Sequence, residues 1–162
     1  MFLTWRLAGS LPANRHFPEA TTAGEVFLAM DRLLDRAETG PVYLKREEIA
    51  GMVVDAIRYR AHEMTHYDLH SYVVMANHVH LLVTPFVPVS KVTQSLKRFT
   101  ARQANDMLKL TGRPFWQDGS YDRVIRNLTE FRRIQRYIEW NPVNAGLVDE
   151  PVAFRWSSAG AD

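Results

Sequence analysis

His78 and His80 are separated by a single residue inside the apolar string His78-Val-His-Leu-Leu-Val-Thr84. In an extended chain, residues two apart project to the same side, so His78, His80, Leu82 and Thr84 share one face, while Val79, Leu81 and Val83 share the other. The aliphatic set is expected on the core face. The two imidazoles then stand together on the opposite face, close enough to share one divalent cation. A His-x-His pair is also short enough to arise by chance and decorate an exposed sheet surface. His62, His66 and His70 lie nearby in sequence, but none pairs at strand spacing, and they read as ordinary surface histidines.

A second pair sits near the other end of the chain. Tyr137 and Asn141 are four residues apart in a helical pattern, so a phenol hydroxyl and a side-chain amide fall on one face about a turn from each other. Taken alone, Tyr137 reads as an aromatic flanking the core beside Ile134 and Ile138. Asn141 before Pro142 reads as a helix stop.

The elements that must position these residues follow from periodicity. Phe2 to Leu7 alternates as a first strand. Thr22 and Glu25 form a capping-box pair, followed by Val26, Phe27, Met30, Leu33 and Leu34 at helical spacing until Gly40-Pro41. Ile49, Met52, Val53, Ala56 and Ile57 predict a second helix from about Arg46 into His62-Glu63. Tyr67 to Pro85 changes to a two-residue period interrupted by Ala76-Asn77, which predicts a hairpin. Ser90 is the expected cap of a third helix, with Val92, Leu96, Phe99, Gln103 and Met107 on its stripe and its end near Gly112-Arg113-Pro114. Phe115 to Asn127 reads as loop and a last strand. Thr129 is the expected cap of a fourth helix, carrying Phe131, Ile134 and Ile138 and ending at Asn141-Pro142. Interspersed strands and long helical connections imply an α+β fold: a mostly antiparallel sheet with helices packed on it, forming one domain over residues 1–162.

Composition narrows the chemistry. The 162 residues include no cysteine, which excludes disulfides, thiolate zinc sites and cysteine nucleophiles. With no signal-like amino terminus and no apolar run of bilayer length, a soluble cytoplasmic protein is expected. The net charge of +2 conceals a strong asymmetry, because residues 91 to 136 carry 11 Lys and Arg against 4 Asp and Glu. Such a segment is either a solvated helix face or the footprint of a polyanion-binding surface.

Read together, the motifs carry more than either pair alone. Val74-Met-Ala-Asn-His-Val-His-Leu-Leu-Val-Thr-Pro85, then Phe115-Trp-Gln117, Tyr121-Asp-Arg-Val-Ile-Arg-Asn127, Tyr137-Ile-Glu-Trp-Asn-Pro-Val-Asn-Ala-Gly-Leu-Val148 and the closing Trp156-Ser-Ser158 resemble the HUH single-tyrosine transposases, IS200-like. The nearest branch in this resemblance is the REP-associated tyrosine transposases. The resemblance spans nearly the whole chain, and it departs from the family at Ala76, where proline is expected before Asn-His. It implies a ferredoxin- or RRM-like HUH nuclease fold. It also implies a metal site at His78, His80 and Asn141, and Tyr137 as the catalytic nucleophile.

Imidazole ligands by themselves suggest zinc or another transition metal, since Mg²⁺ prefers oxygen. The resemblance selects Mg²⁺ or Mn²⁺. The activity it implies is DNA transposition and recombination, by endonuclease cleavage and rejoining of single-stranded DNA bearing hairpins or palindromic repeats, through a 5′-phosphotyrosine and a free 3′-hydroxyl. Relatives include homodimers that exchange the tyrosine helix and monomers that complete the site in cis, and both arrangements stay open. Lys97, Arg98, Arg102, Arg123, Arg126, Arg132, Arg133 and Arg136 are the candidates to hold the DNA backbone, with Trp116 and Tyr121 available to stack on unpaired bases. Two other readings compete. One is a metal-dependent hydrolase in which Asp122 or Glu139 joins the histidines to activate water. The other is a domesticated DNA-binding protein without catalysis.

Overall fold

The computed structural model describes residues 1–12 and 15–160. Four strands, β1 (Phe2–Arg6), β2 (Tyr67–Val74), β3 (His78–Pro85) and β4 (Tyr121–Arg123), form one sheet in the order β2-β3-β1-β4. Every adjacent pair is antiparallel. Helices α1 (Ala23–Arg36) and α2 (Glu47–His62) lie between β1 and β2, α3 (Val89–Leu108) joins β3 to β4, and α4 (Leu128–Asn144) follows β4. The chain thus leaves β1 for the far edge, returns through the β2–β3 hairpin to lie beside β1, and crosses again to the other edge. This is the ferredoxin-like split arrangement and the α+β architecture expected from the sequence.

The local chemistry explains most boundaries. The Thr22 hydroxyl accepts from Glu25 N while the Glu25 carboxylate accepts from Thr22 N, closing the predicted capping box of α1. Beyond α1, Gly40 has φ +74 and its backbone abuts Gly9 with no room for a Cβ, so only glycine fits there. Two predicted caps are displaced. Ser90 lies inside the first turn of α3, which begins after Pro88 without a side-chain cap. At α4, Asn127 rather than Thr129 accepts from Glu130 N.

The third helix buries Val92, Leu96, Thr100 and Ala104, whereas Phe99 and Met107 remain exposed. Its buried stripe therefore advances by four, and the predicted Phe99 and Met107 fall off it. The fourth helix does not stop at Asn141-Pro142 but continues to Asn144. Pro142 costs an intrahelical hydrogen bond, yet both Asn141 and Pro142 are buried. The turn is closed by Ala145 N on Asn141 O and Leu147 N on Pro142 O.

Helices cover both faces of the sheet, which corrects the expectation that the histidine face points outward. One face carries Leu3, Trp5, Tyr72, Val79, Leu81 and Val83 against Ile49, Val53 and Ile57 of α2 and Val92 and Leu96 of α3. The other carries Phe2, Val73 and Leu82 against Phe27 of α1 and Ile134 and Ile138 of α4. Burying Ile134 and Ile138 contributes roughly 1.5–3 kcal/mol each and fixes α4 against the sheet. No described helix is long and apolar enough to cross a membrane.

Candidate active site

The second face explains where the imidazoles go. In the sheet register, His80 stands between Val73 of β2 and Thr4 of β1, Tyr121 of β4 lies beyond Thr4, and His78 pairs with Arg6. Both histidines are fully buried, their ring centroids 4.7 Å apart. Over them, α1 contributes Asp31 and Asp35, one turn apart, and α4 contributes Tyr137. His80 Nε2 lies 3.2 Å from Asp31 Oδ1, and His78 Nε2 lies 3.6 Å from both Asp31 Oδ1 and Asp35 Oδ1. The Tyr137 hydroxyl donates to Asp31 Oδ2, and its ring centroid is 5.6 Å from that of His80.

The far side of each imidazole is already engaged. Asn77 Nδ2 donates to Leu34 O at 3.0 Å, which orients its Oδ1 as the acceptor for His78 Nδ1 at 2.8 Å. The Nδ1 of His78 therefore carries the proton and Nε2 presents a lone pair to the site, the tautomer a metal ligand requires. His80 Nδ1 meets Thr4 Oγ1 at 2.7 Å, leaving its Nε2 on the same side. Asn77→Ala would remove the acceptor behind His78 and the donor to Leu34 O. It is expected to weaken divalent-cation binding by about 10- to 100-fold. A metal-free thermal melt should show a loss of about 1–3 kcal/mol.

Several buried polar atoms here lack partners. Asp31 Oδ1, Asp35 Oδ1, His78 Nε2, His80 Nε2 and Asn141 Oδ1 are all buried without a hydrogen-bond partner. Such orphans are rare in folded proteins and call for an explanation. Ligand atoms of Asp31, His78 and His80 lie within 4.8 Å of one another, so these three residues could hold a metal ion. The donor atoms of these three residues, imidazole nitrogen and carboxylate oxygen, are of kinds that bind divalent cations.

Electrostatics agree. Burial holds His78 down to about 3, keeping the imidazole neutral. Burial alone would raise the Asp31 carboxyl, but the facing imidazoles of His80 and His78 and the Tyr137 phenol hold it below the usual carboxylate range. Burial, followed by the neighbouring Asp31 charge, pushes Asp35 up to about 7. Burial and then the Asp31 carboxylate raise the Tyr137 phenol well above its ordinary value.

The site thus unites His78, His80 and Tyr137 within one chain, with Asn141 buried on α4 one turn beyond Tyr137. Asp31 and Asp35 were missed in the sequence reading, although a signal was present: Asp31 falls in the phase of Phe27 and Leu34, the buried side of α1. The rival carboxylates are not part of the cluster. Asp122 pairs with Leu3, whose side chain faces the opposite core, and Glu139 accepts from Gln135 Nε2 at 3.2 Å.

The predicted DNA contacts divide. Trp116 is buried, donating its indole N–H to Thr100 Oγ1 and packing edge-on against Trp5 and Phe115, so it has no free face for a base. Lys97 Nζ donates to the carbonyls of Gln117 and Gly119, holding the loop before β4. Tyr121 is half-buried and stacks on Phe27 at 4.3 Å. Arg98 and Arg102 are exposed on α3, across the sheet from exposed Arg132, Arg133 and Arg136 of α4. Arg136 lies over Trp140, and Arg123 pairs with Glu130 at 2.6 Å. A cleft reaching Tyr137 is lined by Arg123 and Arg133, which also border a neighbouring depression with Arg126.

Comparison with known proteins concerns the fold and the family. No curated protein matches the chain. Among solved structures, a REP-associated tyrosine transposase bound to a REP hairpin superposes with a TM-score of 0.61 at 19% identity, covering 99% of this chain and 76% of that one. A candidate transposase from Deinococcus radiodurans gives a TM-score of 0.48, also at 19% identity, over 86% of this chain and 88% of that one. At such identities the first likeness concerns the fold. The sequence model described as Transposase IS200 like matches residues 44–141, a stretch that runs from the 3-10 turn before α2 through Asn141. Since that match covers more than half of the chain, the protein belongs to the IS200-like transposase family.

Proposed function

We propose that this transposase-family protein cleaves and rejoins single-stranded DNA through a covalent bond to Tyr137. The observation that carries the reading is the placement of the Tyr137 hydroxyl on Asp31 beside His78 and His80, where the surrounding lone pairs lack partners. In the proposed reaction the Tyr137 oxygen bonds to the scissile phosphorus as the bond from phosphorus to the 3′ oxygen breaks. The phenol loses its proton and the leaving oxygen gains one, giving a 5′-phosphotyrosine and a 3′-hydroxyl. The reverse step with a second 3′-hydroxyl joins strands, because the phosphotyrosine conserves the ester bond.

His78 and His80, with Asn141, are the residues proposed to hold Mg²⁺ or Mn²⁺. A cation there would supply charge stabilisation and orientation of the phosphate. Arg123 and Arg133, which line the cleft to Tyr137, are the residues proposed to bind adjacent phosphates, with Arg126 and Arg132 continuing that basic surface. A hairpin or palindromic substrate is supported by the likeness to a transposase bound to a REP hairpin.

The test is incubation of the protein with a 3′-labelled single-stranded hairpin and Mn²⁺, followed by denaturing electrophoresis. A labelled species migrating with the protein is expected, and chelation before mixing should abolish it. Cleavage that releases only free labelled DNA, with no protein-linked product at any time, would overturn the proposal.

A further inference from the structure

Asp31 occupies a position that the three-residue site inferred from sequence leaves unexplained. It lies on α1, which precedes the segment matched by the transposase family, and its side chain is 2% exposed. A carboxylate in such a place is costly unless each oxygen has a positive partner. Oδ2 receives the Tyr137 hydroxyl. Oδ1 has no well-aligned hydrogen-bond donor: it lies 3.2 Å from His80 Nε2 and 3.6 Å from His78 Nε2. Toward His78, whose Nε2 the Asn77 contact makes a lone-pair donor, acceptor faces acceptor at 3.6 Å. Ligand atoms about 2.1 Å from one ion and roughly at right angles to each other stand about 3.0 Å apart, so these separations are near those of neighbouring ligands on a common cation.

We propose that Asp31 bridges the cation and the nucleophile: Oδ1 completes the metal site with His78 and His80, while Oδ2 holds the Tyr137 hydroxyl at that site. The inference rests on the metal-site reading above and extends it, because it makes α1 an integral part of the catalytic centre. Cation binding and tyrosine position become linked through one carboxylate. An ion that draws Oδ1 toward the imidazoles also moves or stiffens Oδ2, and with it the phenol.

Mn²⁺ binding to the full chain without DNA, followed by paramagnetic resonance of the free ion, tests the ligand half. Asp31→Asn preserves size but turns a charged donor into a neutral one, and it is expected to weaken Mn²⁺ binding at least about 10-fold. Tyr137→Phe, which leaves every proposed ligand in place, should stay within about threefold of the unaltered protein. The bridging half is read in the unaltered sequence with 3-fluorotyrosine incorporated, the position-137 signal being assigned by its absence from Tyr137→Phe. Saturation with diamagnetic Mg²⁺ should shift that signal. Equal Mn²⁺ affinity in the folded Asp31→Asn protein, or a fluorine signal indifferent to Mg²⁺, overturns the bridge. Neither readout requires DNA cleavage, so the absence of a covalent DNA product alongside both expected results would remove the proposed strand chemistry and leave the bridge standing.

Discussion

Tyr137→Phe is expected to eliminate the protein–DNA adduct and to reduce strand cleavage by at least about four orders of magnitude. Phenylalanine keeps the ring that packs edge-on against Phe2 and lies beside His80, so the second core survives. What disappears is one oxygen, and with it the atom proposed to bond to phosphorus. The change also leaves Asp31 Oδ2 without its donor, at a cost of about 1–3 kcal/mol in the metal-free protein. Hairpin binding, measured by fluorescence anisotropy in Mn²⁺, should change little, because Arg123 and Arg133 are untouched. Cleavage at the unaltered rate in this variant would instead favour a metal-activated water, the hydrolase alternative, with Asp31 or Asp35 in the part first considered for Asp122 or Glu139.

The second large effect is expected from His80→Ala. A ligand that binds only the folded state stabilises it by about 2.7 kcal/mol at a concentration 100 times its dissociation constant. For a domain of this size that corresponds to roughly 5–11 °C in melting temperature. The unaltered protein should show such a rise with Mn²⁺, and His80→Ala should show almost none while losing adduct formation. The truncation also leaves Thr4 Oγ1 without its imidazole partner and removes a partner that holds the Asp31 carboxyl low.

The size of the metal effect should depend on pH, with a definite sign. Asp35, raised from 3.8 to about 7, binds its proton more tightly in the metal-free fold than in the unfolded chain. It therefore lowers metal-free stability progressively as pH rises from about 4 through 7. A cation beside it opposes that loss, so the Mn²⁺-induced rise should be larger at pH 8 than at pH 6. Calorimetric melts at both values measure it, and an equal or smaller rise at pH 8 would count against cation binding at this cluster.

Much of the site was legible because it depends on local periodicity. The two-residue period of the hairpin placed His78 and His80 on one face, and the four-residue spacing placed Tyr137 and Asn141 on one side of α4. The capping box at Thr22 and the stripe of α2 were readable for the same reason: each is a contact or repeat within a few residues. Errors arose where a distant element overrides a local preference. Pro142 ordinarily ends a helix, yet burial of Asn141 and Pro142 carries α4 onward. Trp116 looked free to stack because only packing with Trp5 and Thr100 shows that it is core.

The sequence by itself determined the strand that carries the imidazoles, the helix that carries the phenol, the absence of thiol chemistry and the concentration of positive charge in residues 91 to 136. Only the tertiary structure decided that these parts meet, that the histidine face is a second core, and that Asp31 and Asp35 close over it. The physical reason is range. Periodicity reports which side of an element a residue occupies, but β1, β3, α1 and α4 come together through hydrophobic burial between segments as far apart as Asp31 and Tyr137.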